Sequence, residues 1–340
     1  TLSIFLLTMT DLKHFRESMA PELQALNQHI AEALSSSNSL LDKIVAEYLS
    51  VKGKQIRPIL VILSARLFGA DRMNLPLNVI RAAASVEMLH NASLIHDDVV
   101  DQSPRRRGNP TVNNLWDNQI AVLVGDFFVS SALQEAMMTN DLRIVGVIAR
   151  LGRILSEGEM DQIFNAMSHQ LTEEGYYRAI GRKTASLFEA CVEMGAYAVG
   201  IGSDDERIAK IRRYAELLGL CFQIRDDVFD YFDDGRVGKP TGYDLREGKV
   251  SLPLLHAFAT DTDAERKAAM KALIDSDHLS DADIATLIDY AKQLRGIEYA
   301  FETMQRLRDE AVTLLDAFSD PGDTKSAMRA IFDFIIARHY

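Results

Sequence analysis

The chain has 340 residues, 47% hydrophobic and 25% charged, enough to bury a large core as one big domain or as two fused ones. Its formal net charge of −12 argues against a nucleic-acid partner, because phosphate backbones recruit basic faces. Cys191 and Cys221 supply neither a disulfide framework nor a paired metal spacing, and read as buried, inert thiols of a reducing compartment.

At the start, TLSIFLLTMTD has a short apolar run and no basic flank, a poor signal peptide, so Met9 reads as the natural start and residues 1–8 as a non-native leader. No apolar run approaches the ~20 residues that span a bilayer, which predicts a cytoplasmic protein without a transmembrane segment. Phe15, Met19, Leu23, Leu26, Ile30 and Leu34 follow helical spacing on one stripe, and the habit persists to Ile331, Phe332, Phe334, Ile335 and Ile336. Pro21, Pro58, Pro76 and Pro253 each open a periodic apolar segment, where a first-turn proline costs nothing. Pro104, Pro110, Pro240 and Pro321 fall in glycine- or aspartate-rich connections. Strand-like alternation is nearly absent. The reading is all-α: about ten or more helices in a single large bundle domain over residues 1–340, without a linker. The acidic stretch 261–283 reads as a solvated surface hairpin.

On a helix beginning near Pro76, His90, Ser93, Asp97 and Asp101 share one face, flanked by Asp98. In CFQIRDDVFDYFDD, Gln223, Asp226 or Asp227, and Asp230 do the same, with Phe222 and Phe229 directed into the core. One acidic run is usually a solvated face. Two copies of DDxxD, each embedded in apolar sequence, demand cations instead, because an unpaired buried carboxylate is costly. Asp oxygens without Cys or His partners suit Mg²⁺, which completes its shell with water and phosphate oxygens; calcium fits less well without a glycine-turned ligand loop.

Cationic residues accompany both motifs. GKQIRP places Lys54 and Arg57 at a helix start, and the loop after the first motif carries Arg105, Arg106 and Arg107; with His90 these could form a second, metal-free diphosphate pocket. Taken singly they are ordinary surface charges, a core histidine and a solvated loop. GRKTASLF supplies Lys183 and Thr184, and GKPTGYDLREGKVSLPL supplies Lys239, Asp244 and Lys249 in a glycine-bearing loop, whose lysines could neutralise a departing diphosphate.

LIHDDVVDQSPRRRG, FQIRDDVFDY, GKQIRP and GKPTGYDLREGK, over roughly residues 20–335, resemble the trans-type polyprenyl diphosphate synthases of the long-chain, octaprenyl or solanesyl kind. The resemblance implies an isoprenoid-synthase bundle with a central substrate cavity, a homodimer, and Mg²⁺-dependent elongation of an allylic prenyl diphosphate with isopentenyl diphosphate. It implies about three Mg²⁺ ions per site, held by Asp97, Asp101 and Asp226 with Asp98, Asp227 and Asp230. By the same resemblance Lys54, Arg57, His90 and Arg107 bind isopentenyl diphosphate, and Arg106, Lys183, Thr184, Gln223, Lys239 and Lys249 face the allylic diphosphate. The catalytic set is Asp97, Asp98, Asp101, Arg106, Lys183, Asp226, Asp227 and Lys239. Gln55 and Arg225 depart from the family's usual basic and apolar residues there, and Gln55 leaves the isopentenyl pocket one charge short.

No strong side-chain base is evident, in keeping with the family's use of released diphosphate as proton acceptor. Ala92 and Ser93, one turn before Asp97, are small, which leaves a tunnel open and predicts a product of roughly 30–50 carbons for a quinone side chain, released with transient membrane contact. A geranylgeranyl diphosphate synthase and a non-catalytic subunit of a heteromeric synthase are the alternatives. A terpene cyclase would need no second diphosphate pocket, so Lys54, Arg57 and Arg107 speak against it.

Overall fold

The computed structural model describes residues 17, 19–51, 53–72, 74–106, 108–168, 172–232, 241–276, 278–319 and 323–337. The expected leader 1–8 and Phe15 lie outside them, as do Arg107 and Lys239.

Local chemistry starts the helices. α1 (Ala20–Ala33) and α12 (Leu252–Thr260) carry Pro21 and Pro253 in their first turns. α2 (Ser39–Ser50) opens where the Asn38 side chain accepts from the amides of Leu40 and Leu41. α14 (Asp281–Gln293) has a reciprocal cap, Ser280 accepting from the Asp283 amide and Asp283 from the Ser280 amide. α3 (Ile56–Leu67) instead follows a left-handed Gln55, whose amide donates to Asn27 Oδ1 at 2.7 Å.

α4 (Leu77–Val100) begins after Pro76 and runs the length of the domain. A hairpin of two-residue strands, β1 (Arg105–Arg106) and β2 (Asn109–Pro110), turns the chain into α5 (Val112–Leu115) and α6 (Asn118–Met138). These are the only strands among the described residues. α7 (Leu142–Ser168) and α8 (Glu173–Ile180) follow, then a π-helical turn (Gly181–Ala185) feeding α9 (Ser186–Ala198). The rest is α10 (Glu206–Phe229), α11 (Tyr243–Arg246), α13 (Ala264–Ile274), α15 (Gly296–Leu314) and α16 (Thr324–Ala337), with α12 and α14 in their places between them.

α9 is the axis. It is mostly apolar and buried on nearly every side, its two glutamates, Glu189 and Glu193, paired with Arg212 and Arg150, and it packs on α3, α4, α7 and α10. Backbones come very close where it meets α3: a Cβ on Gly195 would lie 2.3 Å from the Val61 carbonyl, and Ser64 Oγ donates to the Val192 carbonyl at 2.6 Å. α10 is backed by α15 and α16, with Tyr214 donating to the Met328 carbonyl at 2.8 Å. α4 and α10 are thereby held on opposite flanks of α9. Cys191 and Cys221 are buried and free, and burial pushes both thiols well up, as expected of inert cysteines.

Two expectations need correction. α6 is long and apolar enough to cross a membrane by length and composition, although Asp126 and Glu135 interrupt its sequence. Seven of its residues, among them Val124, Gly125 and Phe128, are buried in the domain, while Val122, Val129, Leu133 and Met137 form an exposed stripe. The stretch from 261 is not wholly solvated either: Asp261 is buried against Arg266, which donates to its two oxygens at 2.6 and 2.9 Å.

Candidate active site

The first aspartate motif closes α4. Asp97 is half-buried on its last turn, Asp98 buried, and exposed Asp101 is the residue on which the helix ends. The hairpin folds back over this end: Thr111 Oγ1 donates to the Ser103 carbonyl at 2.7 Å, and Asn113 Nδ2 to the Asp98 carbonyl at 3.1 Å. Arg106 is thus brought onto Asp98, its Nε 2.9 and 3.1 Å from the two carboxylate oxygens and an Nη 2.8 Å from Oδ1. The pair is a forked, charge-assisted contact. Asp98 therefore aims Arg106.

The second motif closes α10. Asp227 is buried, accepting from Tyr176 Oη of α8 at 2.6 Å and from Gln223 Nε2 one turn back at 2.8 Å. Asp230 accepts from the amides of Tyr243 and Asp244 at 2.9 and 3.1 Å, which docks α11 on the end of α10. That turn needs Gly242, at φ +72°, where a Cβ would strike Ile284. Lys249 enters the same region through its amide, which donates to the Asp244 carbonyl at 2.8 Å. Asp226 is half-buried on the last turn, and Arg225, the departure noted in the sequence, is buried between the rings of Phe229 and Phe301 at 4.4 and 4.8 Å.

The π-turn joins the two ends. Such turns carry one extra residue per helical turn and gather at functional sites. Lys183 within it donates to Glu159 Oε2 at 2.5 Å and to Gln162 Oε1 at 2.9 Å on α7. Thr184, the next residue, donates to Gln223 Oε1 at 2.8 Å, the glutamine that holds Asp227. Lys183 thus lies near enough to Asp97 of the first motif to influence its charge, and its neighbour Thr184 is hydrogen-bonded through Gln223 to Asp227 of the second.

Burial sets the charge state of both walls. It raises Asp97 to about 6; Lys183 and Arg106 pull it back down, Glu159 and Asp101 push it up. Burial with Asp244 and Asp230 nearby raises Asp227 to about 7, against the hydrogen bonds from Tyr176 and Gln223, and burial with Asp244 raises Asp230 to about 6. Asp98 is also raised by burial, partly offset by Arg106. The walls hold more negative charge than their own cations neutralise, and all the donors are hard oxygens, which fits Mg²⁺. Among the described residues no three His, Cys, Asp or Glu side chains gather closely enough to cage an ion by themselves.

A pH dependence follows. Between about pH 4 and 7 the folded chain binds more protons at these aspartates than the unfolded chain does, so without metal its stability falls as pH rises through that window. Metal binding needs the deprotonated groups, so its contribution grows over the same range. Thermal melts with Mg²⁺ and inorganic pyrophosphate are expected to gain several degrees at pH 8 and little at pH 5.5. Equal gains at both would contradict the assignment.

Lys54 and Arg57 stand at the start of α3, and His90 on α4. Lys54 is exposed beside the Phe334 ring, Arg57 lies half-buried over Phe188, and His90 is buried on α4, which packs on α3. Ala92 is fully buried on α4, while Ser93 is partly exposed and donates to the His90 carbonyl at 2.9 Å. A cavity of about 440 Å³ between α12 and α15, lined by His256, Arg295 and Tyr299 among others, shares no lining residue with either motif. Glu159, Gln162 and Tyr176 escaped the sequence reading. Glu159 and Gln162 stand three apart in EGEMDQ, on one face of α7, but nothing local marks their partner Lys183, or Tyr176.

Comparison with known proteins gives the family. Residues 38–291 match the family model described as polyprenyl synthetase. The chain is 34% identical over 323 residues to an octaprenyl diphosphate synthase of Haemophilus influenzae, covering 94% of this chain and 95% of that one. It is 30% identical over 332 residues to heptaprenyl diphosphate synthase component 2 of Geobacillus stearothermophilus, covering 97% and 99%. Its fold superposes with a TM-score of 0.85, at 30% identity and covering 96% and 98%, on a polyprenyl synthase from Caulobacter crescentus complexed with calcium and isoprenyl diphosphate.

Proposed function

The chain belongs to the polyprenyl synthetase family and is a prenyltransferase with the all-α isoprenoid synthase fold, and we propose that it extends an allylic diphosphate, such as farnesyl or geranylgeranyl diphosphate, by successive condensation with isopentenyl diphosphate to a long all-trans product for quinone side chains. The observation that supports this reading is the π-turn, whose Lys183 acts electrostatically on Asp97 of one acidic helix end while its Thr184 is bonded through Gln223 to Asp227 of the other.

In this reading Asp97, Asp101 and Asp226, with Asp227 and Asp230, hold about three Mg²⁺ ions, and Asp98 acts through Arg106. The metal, when bound, draws charge from the diphosphate and eases loss of that leaving group. Arg106, Lys183, Lys239 and Lys249 supply fixed positive charge where negative charge develops as the allylic C–O bond breaks. Thr184 and Gln223 keep the turn and Asp227 in register. Lys54, Arg57, His90 and Arg107 bind isopentenyl diphosphate, so that its double bond meets the allylic carbon as a neighbour. With no strong side-chain base at hand, the released diphosphate takes the proton.

Purified protein incubated with farnesyl diphosphate, isopentenyl diphosphate and Mg²⁺, followed by chromatography of the extracted lipid, tests this. Recovery of unextended primer at every Mg²⁺ concentration would overturn it. A relative named as component 2 of a heptaprenyl synthase supports a second reading, a subunit that needs a different partner. Activity of the chain alone decides against it.

We also infer a homodimer of cytoplasmic location, which touches a membrane only to release product. The support is the exposed stripe of α6, continued by Met160, Ile163 and Phe164 on α7. Faces this apolar mark contact surfaces. Val129→Lys with Leu133→Lys is expected to turn a dimer into monomers in analytical ultracentrifugation; a wild-type monomer at micromolar concentration would refute the assembly.

A further inference from the structure

Glu159 has no part in the reading above, although it is the carboxylate in contact with Lys183. It stands on α7, and its Oε2 accepts from the Lys183 ammonium at 2.5 Å. The contact is built rather than incidental. Gly158, the preceding residue, lets α7 lie directly on the π-turn, since a Cβ there would stand 3.1 Å from the Lys183 amide nitrogen. Asp161 clamps the same turn from the other side through Arg182 at 2.5 Å. Two of the three donors of the Lys183 ammonium are committed, to Glu159 and to Gln162.

We propose that Glu159 is a positioning residue that competes with diphosphate for the Lys183 ammonium. It holds the cation in line between the two motifs and sets how tightly the allylic substrate and the released diphosphate are gripped. Each Coulombic contact of Lys183 with an incoming diphosphate must be made at the expense of its pairing with Glu159, so the glutamate weakens anion binding and hastens release. This rests on the reading that Lys183 faces the allylic diphosphate.

Calorimetric titration with inorganic pyrophosphate in Mg²⁺ tests both separately. Glu159→Gln keeps the volume and an acceptor oxygen for Lys183 but removes the charge, and is expected to tighten pyrophosphate binding by about fivefold or more. Glu159→Asp keeps the charge at shorter reach, so its gain is smaller, about twofold, and it serves if the glutamine variant folds poorly. In a Lys183→Gln background the Glu159→Gln gain shrinks below about twofold, as a coupled pair requires.

Unchanged or weaker binding in Glu159→Gln, or a raised Mg²⁺ requirement, overturns the proposal in favour of a purely structural or metal-binding glutamate. Equal gains with and without Lys183 do so as well. If Lys183→Gln alone leaves pyrophosphate affinity intact, the underlying placement of Lys183 is wrong and the inference falls with it.

Discussion

Asp97→Asn is expected to lower kcat by about 10³-fold, in line with loss of one electrostatic contact to a transition state. The fold should hardly notice. Asp97 is a desolvated carboxylate that is raised to about 6 in the absence of metal, so exchanging it for a neutral side chain of the same shape removes a cost rather than a support. Asp98→Asn, one residue on, should behave differently, because its charge is what Arg106 forks onto. That variant should lose activity and also about 1–3 kcal/mol of stability, less than a fully buried pair would cost because Arg106 is a third exposed. Kinetics and thermal melts on the two variants separate the roles. Near-normal turnover in Asp97→Asn, or an equal fall in melting temperature for both, would sink the division of labour between adjacent aspartates.

Ala92→Phe is expected to shorten the product from roughly 30–50 carbons to roughly 15–20, because pocket shape rather than chemistry limits elongation. On the proposed route the growing chain leaves the first motif along α4, and one turn back stand Ala92, fully buried, and Ser93, partly exposed. The burial of Ala92 sharpens the test. If it faces the tail, a phenyl ring closes the path with little strain; if it only packs against neighbouring helices, the ring overfills the core and costs about 1–3 kcal/mol without changing product length. Ser93→Phe, on the more open side, serves as the companion. Product chromatography read beside melting temperature distinguishes the cases, and unchanged chain lengths in both variants would remove α4 from the tail's route.

The helices were legible because their apolar residues repeat at three and four and their prolines stand at first turns; α4 begins at Pro76 as its sequence suggests. The aspartate motifs were legible for a related reason, since two acidic runs inside apolar sequence have no cheap explanation. What escaped is what depends on distant partners. Tyr176 lies 51 positions from Asp227, and Glu159 lies 24 from Lys183, so no local pattern announces either contact. The apolarity of α6 was missed because single charges break a linear run without breaking a helical face. Asp261 looked solvated because its partner Arg266 enters only when α13 folds. Asp98 drew a metal-binding role from its motif, and only the hairpin that returns Arg106 to it shows its other engagement.

The π-turn at Gly181–Ala185 carries a consequence for how this scaffold tolerates change. It is the geometric trace of one surplus residue in an otherwise regular rod. Excising a residue there would restore ordinary winding, and everything upstream would swing by about 100° about the rod's axis relative to α9. Lys183 would then point away from Gln162, and the segment back to Tyr176 would leave Asp227 behind. A deletion of this size in an exposed loop passes unnoticed; here it would dismantle the junction between two walls that lie far apart in the chain.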